Sequence, residues 1–466
     1  MIRPLIALAA LLLAPSPLVA QPLTAQESAE IDRIVATSID KTGVPSAEIA
    51  IVRDGRIVLN KAYGKASERI AAARPDLPYQ IASNSKQFTA MAMLLLEDEG
   101  KLSLNDKVSK YQPDISGAYR ITLRQLLDHT SGLQDYWPQD YSFEAMSRPV
   151  APQGIVYIWA KKPLDFQPGE QWQYSNTAYV VAGMIIEKVS GEKLLPFLQR
   201  RIFRPLGMTS VIDQDDANGL TFPQGYGRYA LGPLRPVTPP ARGWLYSAGE
   251  LSMTAADLAR WDIARIDRTL LPKDDWDAQE TTTRLNNGTD SNYGLGVFVR
   301  NQNGRRAITH GGEAVGFLST NNVYPAERAA VVVLTNSWSG GASAMIARDV
   351  AKLILPAPAQ DRAAVAAAAR ARSVYDQLRS GKVDRSLLTK NANYYFTPQA
   401  IADFHSSLAP LGEPTAFELS GKPVLRGGFV IQGYTIKYPD RTLDLSTFYE
   451  PGPNGRIEQF LVSPGE

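Results

Sequence analysis

Four side chains in this sequence carry nucleophilic or acid–base groups in motifs worth weighing: the hydroxyl of Ser83, the amine of Lys86, the phenol of Tyr174 and the imidazole of His310. A serine hydroxyl is a weak nucleophile at neutral pH and needs a base beside it. A lysine can serve when burial or nearby positive charge pulls its pKa well below about 10.4. Three residues apart on a helix, Ser83 and Lys86 share one face, and the unpaired N–H groups of a helix start suit a developing oxyanion. Spacing alone is a weak signal, because Ser-x-x-Lys occurs three times, at Ser38/Lys41, Ser83/Lys86 and Ser190/Lys193. An isolated match is more often a surface serine and a solvated lysine. Ser83 is singled out by two motifs downstream: Tyr-x-Asn occurs once, at Tyr174/Asn176, and His-x-Gly once, at His310/Gly312.

The elements that must position these groups can be read from periodicity. A short apolar approach from Tyr79 meets Phe88, Met91, Leu94 and Leu95 at helical spacing before Gly100, which predicts a buried helix with Ser83 at its start. Upstream, Ile31, Ile34 and Val35 predict an amphipathic helix ending at Gly43, so the triplet Lys41-Thr42-Gly43 reads as a helix terminus rather than a binding box. Ala47 to Tyr63 predicts a β-hairpin turning at Asp54-Gly55. A mostly helical region comes after Gly100. His129, at its helix end, reads as a structural residue ahead of a catalytic one. Asn176 has an alternative as a helix N-cap, and Tyr174 as a staple on the helix that stops at Gly191. Ser247 to Ile266 is expected to be helical, Tyr293 to Val299 and Ala329 to Leu334 to be strands, and Ala342 to Leu355 to be a final helix. Strands flanking a helical middle fit an α+β core with its terminal helices on a sheet.

The chain has 466 residues, 44% hydrophobic and 21% charged, with net charge +2. That suffices for a large core and more than one domain. Near-neutral charge without a Lys/Arg run argues against nucleic-acid binding. Residues 1–20 read as a secretory signal: Arg3, an apolar run from Leu5 to Leu13, then Leu18-Val19-Ala20 as cleavage site. The expectation is an exported, periplasmic protein with no membrane span once the signal is removed. No cysteine is present, which excludes disulfides and thiolate catalysis. Three histidines without metal-ligand spacing give a metal-dependent hydrolase almost no support, and no cofactor is expected. Residues 356–361 read as a linker. Residues 362–466 read as a small α+β accessory domain, its closing strands weakly resembling the cystatin-like cone of nuclear-transport-factor-like domains, with His405 standing apart from any metal-ligand spacing.

Taken in order, Ile-Ala-Ser-Asn-Ser-Lys at 81–86, Leu-Leu-Asp-His-Thr-Ser-Gly-Leu at 126–133, Pro-Gly-Glu and Tyr-Ser-Asn within 168–176, Tyr-Gly-Leu-Gly at 293–296 and His-Gly-Gly at 310–312 resemble the serine β-lactamase and penicillin-binding-protein superfamily, in its class C β-lactamase, esterase and D-aminopeptidase branch. The resemblance covers about residues 27–355. It implies a β-lactamase/transpeptidase-like fold, an antiparallel sheet flanked by terminal helices plus a mostly helical subdomain. It also implies Ser83 as acylated nucleophile, and Lys86, alone or with Tyr174 as phenolate, as base. Tyr174 would pass a proton to the leaving group, and Asn176 would hold the substrate and orient Lys86. The backbone N–H groups of Ser83 and Glu313 would form an oxyanion hole, with Gly311 and Gly312 on the substrate-binding strand.

The third box departs from the Lys-Thr-Gly of β-lactamases in that branch: His310 replaces a permanent cation, Gly311 removes a hydroxyl, and Glu313 adds negative charge. That shifts the expected small-molecule or peptide substrate from carboxylate-bearing β-lactams toward esters, amides or peptides presenting an amine. Two alternatives stand beside this hydrolase: a class C-like β-lactamase, and an inactive penicillin-binding-like module that holds cell-wall fragments or a protein partner. Oligomeric state is not encoded in any motif of the chain.

Overall fold

The computed structural model describes residues 21–139, 141–217, 221–356, 362–452 and 454–465. The expected signal at 1–20 and the linker beyond Pro356 lie outside the described residues. The chain divides into two compact units between Pro356 and Ala357.

The first unit is built on a six-stranded sheet. Helix α1 (Ala25–Thr42) leads into β1 (Ser46–Arg53) and β2 (Arg56–Gly64); β3 (Phe298–Gln302), β4 (Arg305–Ala314), β5 (Phe317–Tyr324) and β6 (Ala329–Thr335) complete the sheet in the order β2-β1-β6-β5-β4-β3, every pair antiparallel. Gly43 adopts φ 70° and caps α1 by donating its N–H to the Ile39 carbonyl. The hairpin turns at Asp54 and Gly55, both at positive φ, as such two-residue turns require.

The central strands are buried on both faces, which is why they read as unbroken apolar runs. Ile49, Ile51, Val331 and Val333 pack with Ile31, Val35, Ile346 and Val350 of α1 and the C-terminal helix of the unit, Ala342–Ile354. Ala50, Val52, Val332 and Leu334 face the larger core around α2 (Lys86–Asp98), α3 (Asn176–Ser190) and α4 (Ala255–Asp267). Helix α2 is buried over Lys86 to Leu96, so it is the axis of this core rather than a surface helix.

Three expectations need correcting. Ser247 to Ile266 is not one helix: a turn at Tyr246–Gly249 precedes a strand, Leu251–Met253, that pairs with Tyr79–Gln80 and Ile212–Asp213, and Thr254 then caps α4. The strand expected from Tyr293 begins only at Phe298, because residues 294–297 form a tight turn: the Gly294 N–H donates to the Val297 carbonyl at 2.8 Å, Gly296 takes φ 75°, and Tyr293 is bridged back to Phe298. After Gly100 the only α-helix before Pro152 among the described residues is Leu123–Leu127, and turns carry much of the rest.

The second unit has helices Arg362–Arg379 and Pro398–Leu408 and an antiparallel sheet of Ala416–Arg426, Phe429–Lys437, Thr442–Tyr449 and Ile457–Pro464. Val374, Tyr375 and Leu378 pack with Tyr434, Ile436, Leu445 and Phe460 in its own core. No helix among the described residues is long and apolar enough to cross a membrane.

Candidate active site

Ser83 sits not on the first turn of α2 but on a 3₁₀ turn, Ala82–Ser85, that feeds it. The turn is held from two sides. The Ile81 N–H donates to the Leu251 carbonyl at 3.0 Å and the Leu251 N–H to Ser85 Oγ at 3.2 Å. From the sheet, Ser319 Oγ donates to the Ile81 carbonyl at 2.7 Å and receives Asn84 Nδ2 at 2.8 Å. Ala82, just before Ser83, is forced to φ 48°, a strained conformation of the kind found at functional sites.

Lys86, fully buried, places its Nζ 3.0 Å from Ser83 Oγ, 2.8 Å from Asn176 Oδ1 and 2.7 Å from the Ala248 carbonyl. Burial drives its pKa down to about 7, against the opposing charge of Asp135. A neutral amine has two N–H bonds and one lone pair. Asn176 Oδ1 and the Ala248 carbonyl can only accept, so they take both N–H bonds and the lone pair faces the Ser83 hydroxyl.

Tyr174 shares a hydrogen bond with Ser83, and burial pushes its phenol above the ordinary tyrosine value. It therefore stays protonated at neutral pH. Between the two bases that the motif leaves open, this favours Lys86.

Asn176 is not the N-cap of α3. Ser175 is, its Oγ accepting the Ala178 N–H at 3.2 Å, and the Asn176 side chain instead turns its Oδ1 to Lys86. His129 keeps a structural place at its helix end: it follows Leu123–Leu127 in the left-handed conformation, φ 63°, as the Thr130 N–H closes the helix on the Gln125 carbonyl at 3.2 Å. Its own backbone carbonyl and Nδ1 accept the Gln173 and Ser175 N–H groups at 3.0 and 3.1 Å. Its ring stacks 4.3 Å from that of Tyr174.

His310, on β4, has both ring nitrogens engaged: Nδ1 lies 2.5 Å from the Gly311 carbonyl and Nε2 3.0 Å from the Tyr293 hydroxyl. A carbonyl can only accept, so Nδ1 carries the proton and Nε2 receives the Tyr293 O–H. Burial first, then the Lys86 charge, hold the imidazole down to about 3. It is neutral at physiological pH. Gly312 lets β4 approach the Ser83 turn, since a Cβ there would stand 2.0 Å from the Ile81 carbonyl oxygen; at Gly311 the nearest atom would be 3.7 Å away.

Ser83, Tyr174, Asn176, His310, Gly311, Gly312 and Glu313 line one cleft of about 880 Å³. The structure thus brings together every residue singled out in the first unit, with Lys86 beneath Ser83. Asp135 and Asp165 also line the cleft, and no Lys or Arg does among its described lining residues. Asp135 carried no sequence signal beyond its place two residues after Leu133. The other two Ser-x-x-Lys pairs are structural: Ser38 Oγ donates to the Ile34 carbonyl, and exposed Lys193 pairs with Glu187 at 2.9 Å. His405 lies in the second unit, its Nδ1 2.7 Å from the Arg379 carbonyl, and no cluster of potential metal ligands occurs among the described residues.

Fold and cleft together define a β-lactamase/transpeptidase-like protein. The chain belongs to the Beta-lactamase family, whose model matches residues 31–396. It is 29% identical over 330 residues to protein flp of Staphylococcus aureus strain NCTC 8325, a match covering 67% of this chain and 64% of that protein, so the chain spans a little under two thirds of that relative's length. Among solved structures it is similar to a D-stereospecific amidohydrolase from Streptomyces sp., with TM-score 0.59 and 28% identity over 68% of this chain and 96% of that one. The octameric penicillin-binding protein homologue from Pyrococcus abyssi shares the fold with TM-score 0.62 and 20% identity, over 94% of this chain and 96% of that one.

Proposed function

We propose that this protein is an exported serine hydrolase that cleaves an ester, amide or peptide through an acyl-enzyme on Ser83. The observation that carries the reading is the buried Lys86 Nζ, 3.0 Å from Ser83 Oγ with two acceptor-only neighbours, an arrangement that leaves the lone pair of the neutral amine to Ser83. Ser83 Oγ attacks the substrate carbonyl while its proton passes to Lys86 Nζ. The tetrahedral oxyanion lies against the backbone N–H groups of Ser83 and Glu313. Tyr174, protonated and in contact with Ser83, relays a proton to the leaving oxygen or nitrogen as its bond to carbon breaks. Water then takes the leaving group's place, gives a proton back through the same groups, and releases the acid.

Asp135, Asp165 and Glu313 give the cleft an acidic lining, and His310 is neutral. Both features favour an acyl group bearing an amine over one bearing a carboxylate. The D-stereospecific amidohydrolase among the similar structures is consistent with an amide as substrate. The test is intact-mass detection of a fluorophosphonate adduct: one adduct on the wild type and none on Ser83→Ala supports the reading, and equal labelling of both removes Ser83 from it.

A further inference from the structure

Asp135 stands behind Asn176, on the far side from Lys86. Its Oδ1 accepts the N–H groups of Trp137 and Asn176, each at 3.1 Å, and its Oδ2 accepts Asn176 Nδ2 at 3.2 Å. An asparagine amide has a donor end and an acceptor end. With the donor end held by a carboxylate, the acceptor end must face the other way, and there Oδ1 meets Lys86 Nζ at 2.8 Å.

We propose that Asp135 is a positioning residue for the Ser83–Lys86 pair: by accepting the backbone N–H of Asn176 and an N–H of its Nδ2 it turns the amide oxygen onto Lys86 and so leaves the amine's lone pair to Ser83. The inference rests on Ser83 being the nucleophile. If the amide turned over, Nδ2 would donate to Nζ. The lone pair would then be spent on Asn176, and the Ser83 proton would have no base to receive it.

A second consequence is electrostatic. The groups around Lys86 Nζ are the hydroxyl of Ser83, the amide of Asn176, the Ala248 carbonyl and the rings of Tyr174 and Tyr179, 4.8 and 5.4 Å away. His129 and His310 lie near enough for the lysine charge to depress both. Asp135 is the carboxylate that opposes burial and holds the Lys86 pKa up.

The experiment is the rate of fluorophosphonate labelling across pH, read by intact mass on the full chain. In that reaction the Ser83 Oγ–P bond forms, the P–F bond breaks, fluoride leaves and Lys86 takes the serine proton. Asp135→Asn keeps the shape but removes the charge and one acceptor. It should slow the maximal labelling rate roughly 100-fold, the scale of a misplaced reacting group, with the half-saturating probe concentration unchanged and the rising limb moved to lower pH. In an Asn176→Ala background the same change should cost the maximal rate nothing further, while the limb still moves, because the Asp135 charge acts on Lys86 directly. Should Asp135→Asn fail to fold, Asp135→Ser carries the same expectations, because its hydroxyl can still accept the Trp137 N–H. A wild-type rate with an unmoved limb, or the same loss with Asn176 already removed, overturns the proposal while Ser83 labelling stands. Labelling that survives Ser83→Ala instead overturns the hydrolase reading, and the role of Asp135 falls with it.

Discussion

Nδ1 of His129 accepts the backbone N–H of Ser175 at 3.1 Å, in a site closed to solvent. The bond fixes the imidazole as the Nε2–H tautomer and pins the backbone between Tyr174 and Asn176. Replacing His129 with Leu leaves the Ser175 N–H buried without an acceptor, which costs about 1–3 kcal/mol. Thermal unfolding should report that loss. Turnover should fall more in kcat than in KM, because Tyr174 loses the ring that stacks on it.

Lys86 as base sets the shape of the pH profile. Its pKa of about 7 means that the free amine grows as pH rises through 7, so kcat/KM should climb with a single-proton slope there and then level off. Burial keeps the Tyr174 phenol protonated above its ordinary value, so no second limb is expected below pH of about 10. A profile that rises only above pH of about 10 would instead mark Tyr174 phenolate as the base.

Gly311 and Gly312 should respond oppositely to the same substitution. Gly312→Ala drives a methyl group into the Ile81 carbonyl, 2.0 Å away, and into Ser319 Oγ, 2.3 Å away, whereas Gly311→Ala meets nothing closer than 3.7 Å. Overpacking of this kind costs about 1–3 kcal/mol. Gly312→Ala should therefore lower the melting temperature and push β4 off the nucleophile turn, abolishing Ser83 labelling, while Gly311→Ala stays stable and labels as the wild type does.

Substrate charge is the fourth prediction. With His310 neutral and no Lys or Arg among its described lining residues, the cleft wall offers a substrate carboxylate no direct ion pair; Arg300 stacks on the cleft residue Phe298, its guanidinium 3.8 Å from the ring centre, and reaches His310 through space. Steady-state kinetics should give D-amino acid amides a higher kcat/KM than cephalosporins. Efficient cephalosporin turnover would show that the carboxylate is held by another route.

How much of this was legible without coordinates depended on whether the physics was local. The run Ala329 to Leu334 announced a strand buried on both faces, and Gly43 announced the end of α1, because apolar periodicity and left-handed caps act within a few residues. Ser247 to Ile266 misled: Leu251 and Met253 keep helical spacing with α4, yet their backbone bonds go to Tyr79–Gln80 and Ile212–Asp213. Pairing partners so far along the chain leave no mark on local pattern. Asp135 was invisible for the same reason, since an aspartate in a loop reads as a solvated turn residue until Asn176 is brought against it.

The sequence by itself determined the pieces: a serine and a lysine one helical turn apart, a Tyr-x-Asn ahead of a helix, and a His-Gly-Gly run fit for a strand. Only the tertiary structure decided what they are to one another. Lys86 is poised as the proposed base because Asn176 and Ala248, 90 and 162 residues away along the chain, accept its N–H bonds in a space closed to water. Desolvation and hydrogen-bond direction both belong to packing, and packing is settled by the whole fold at once.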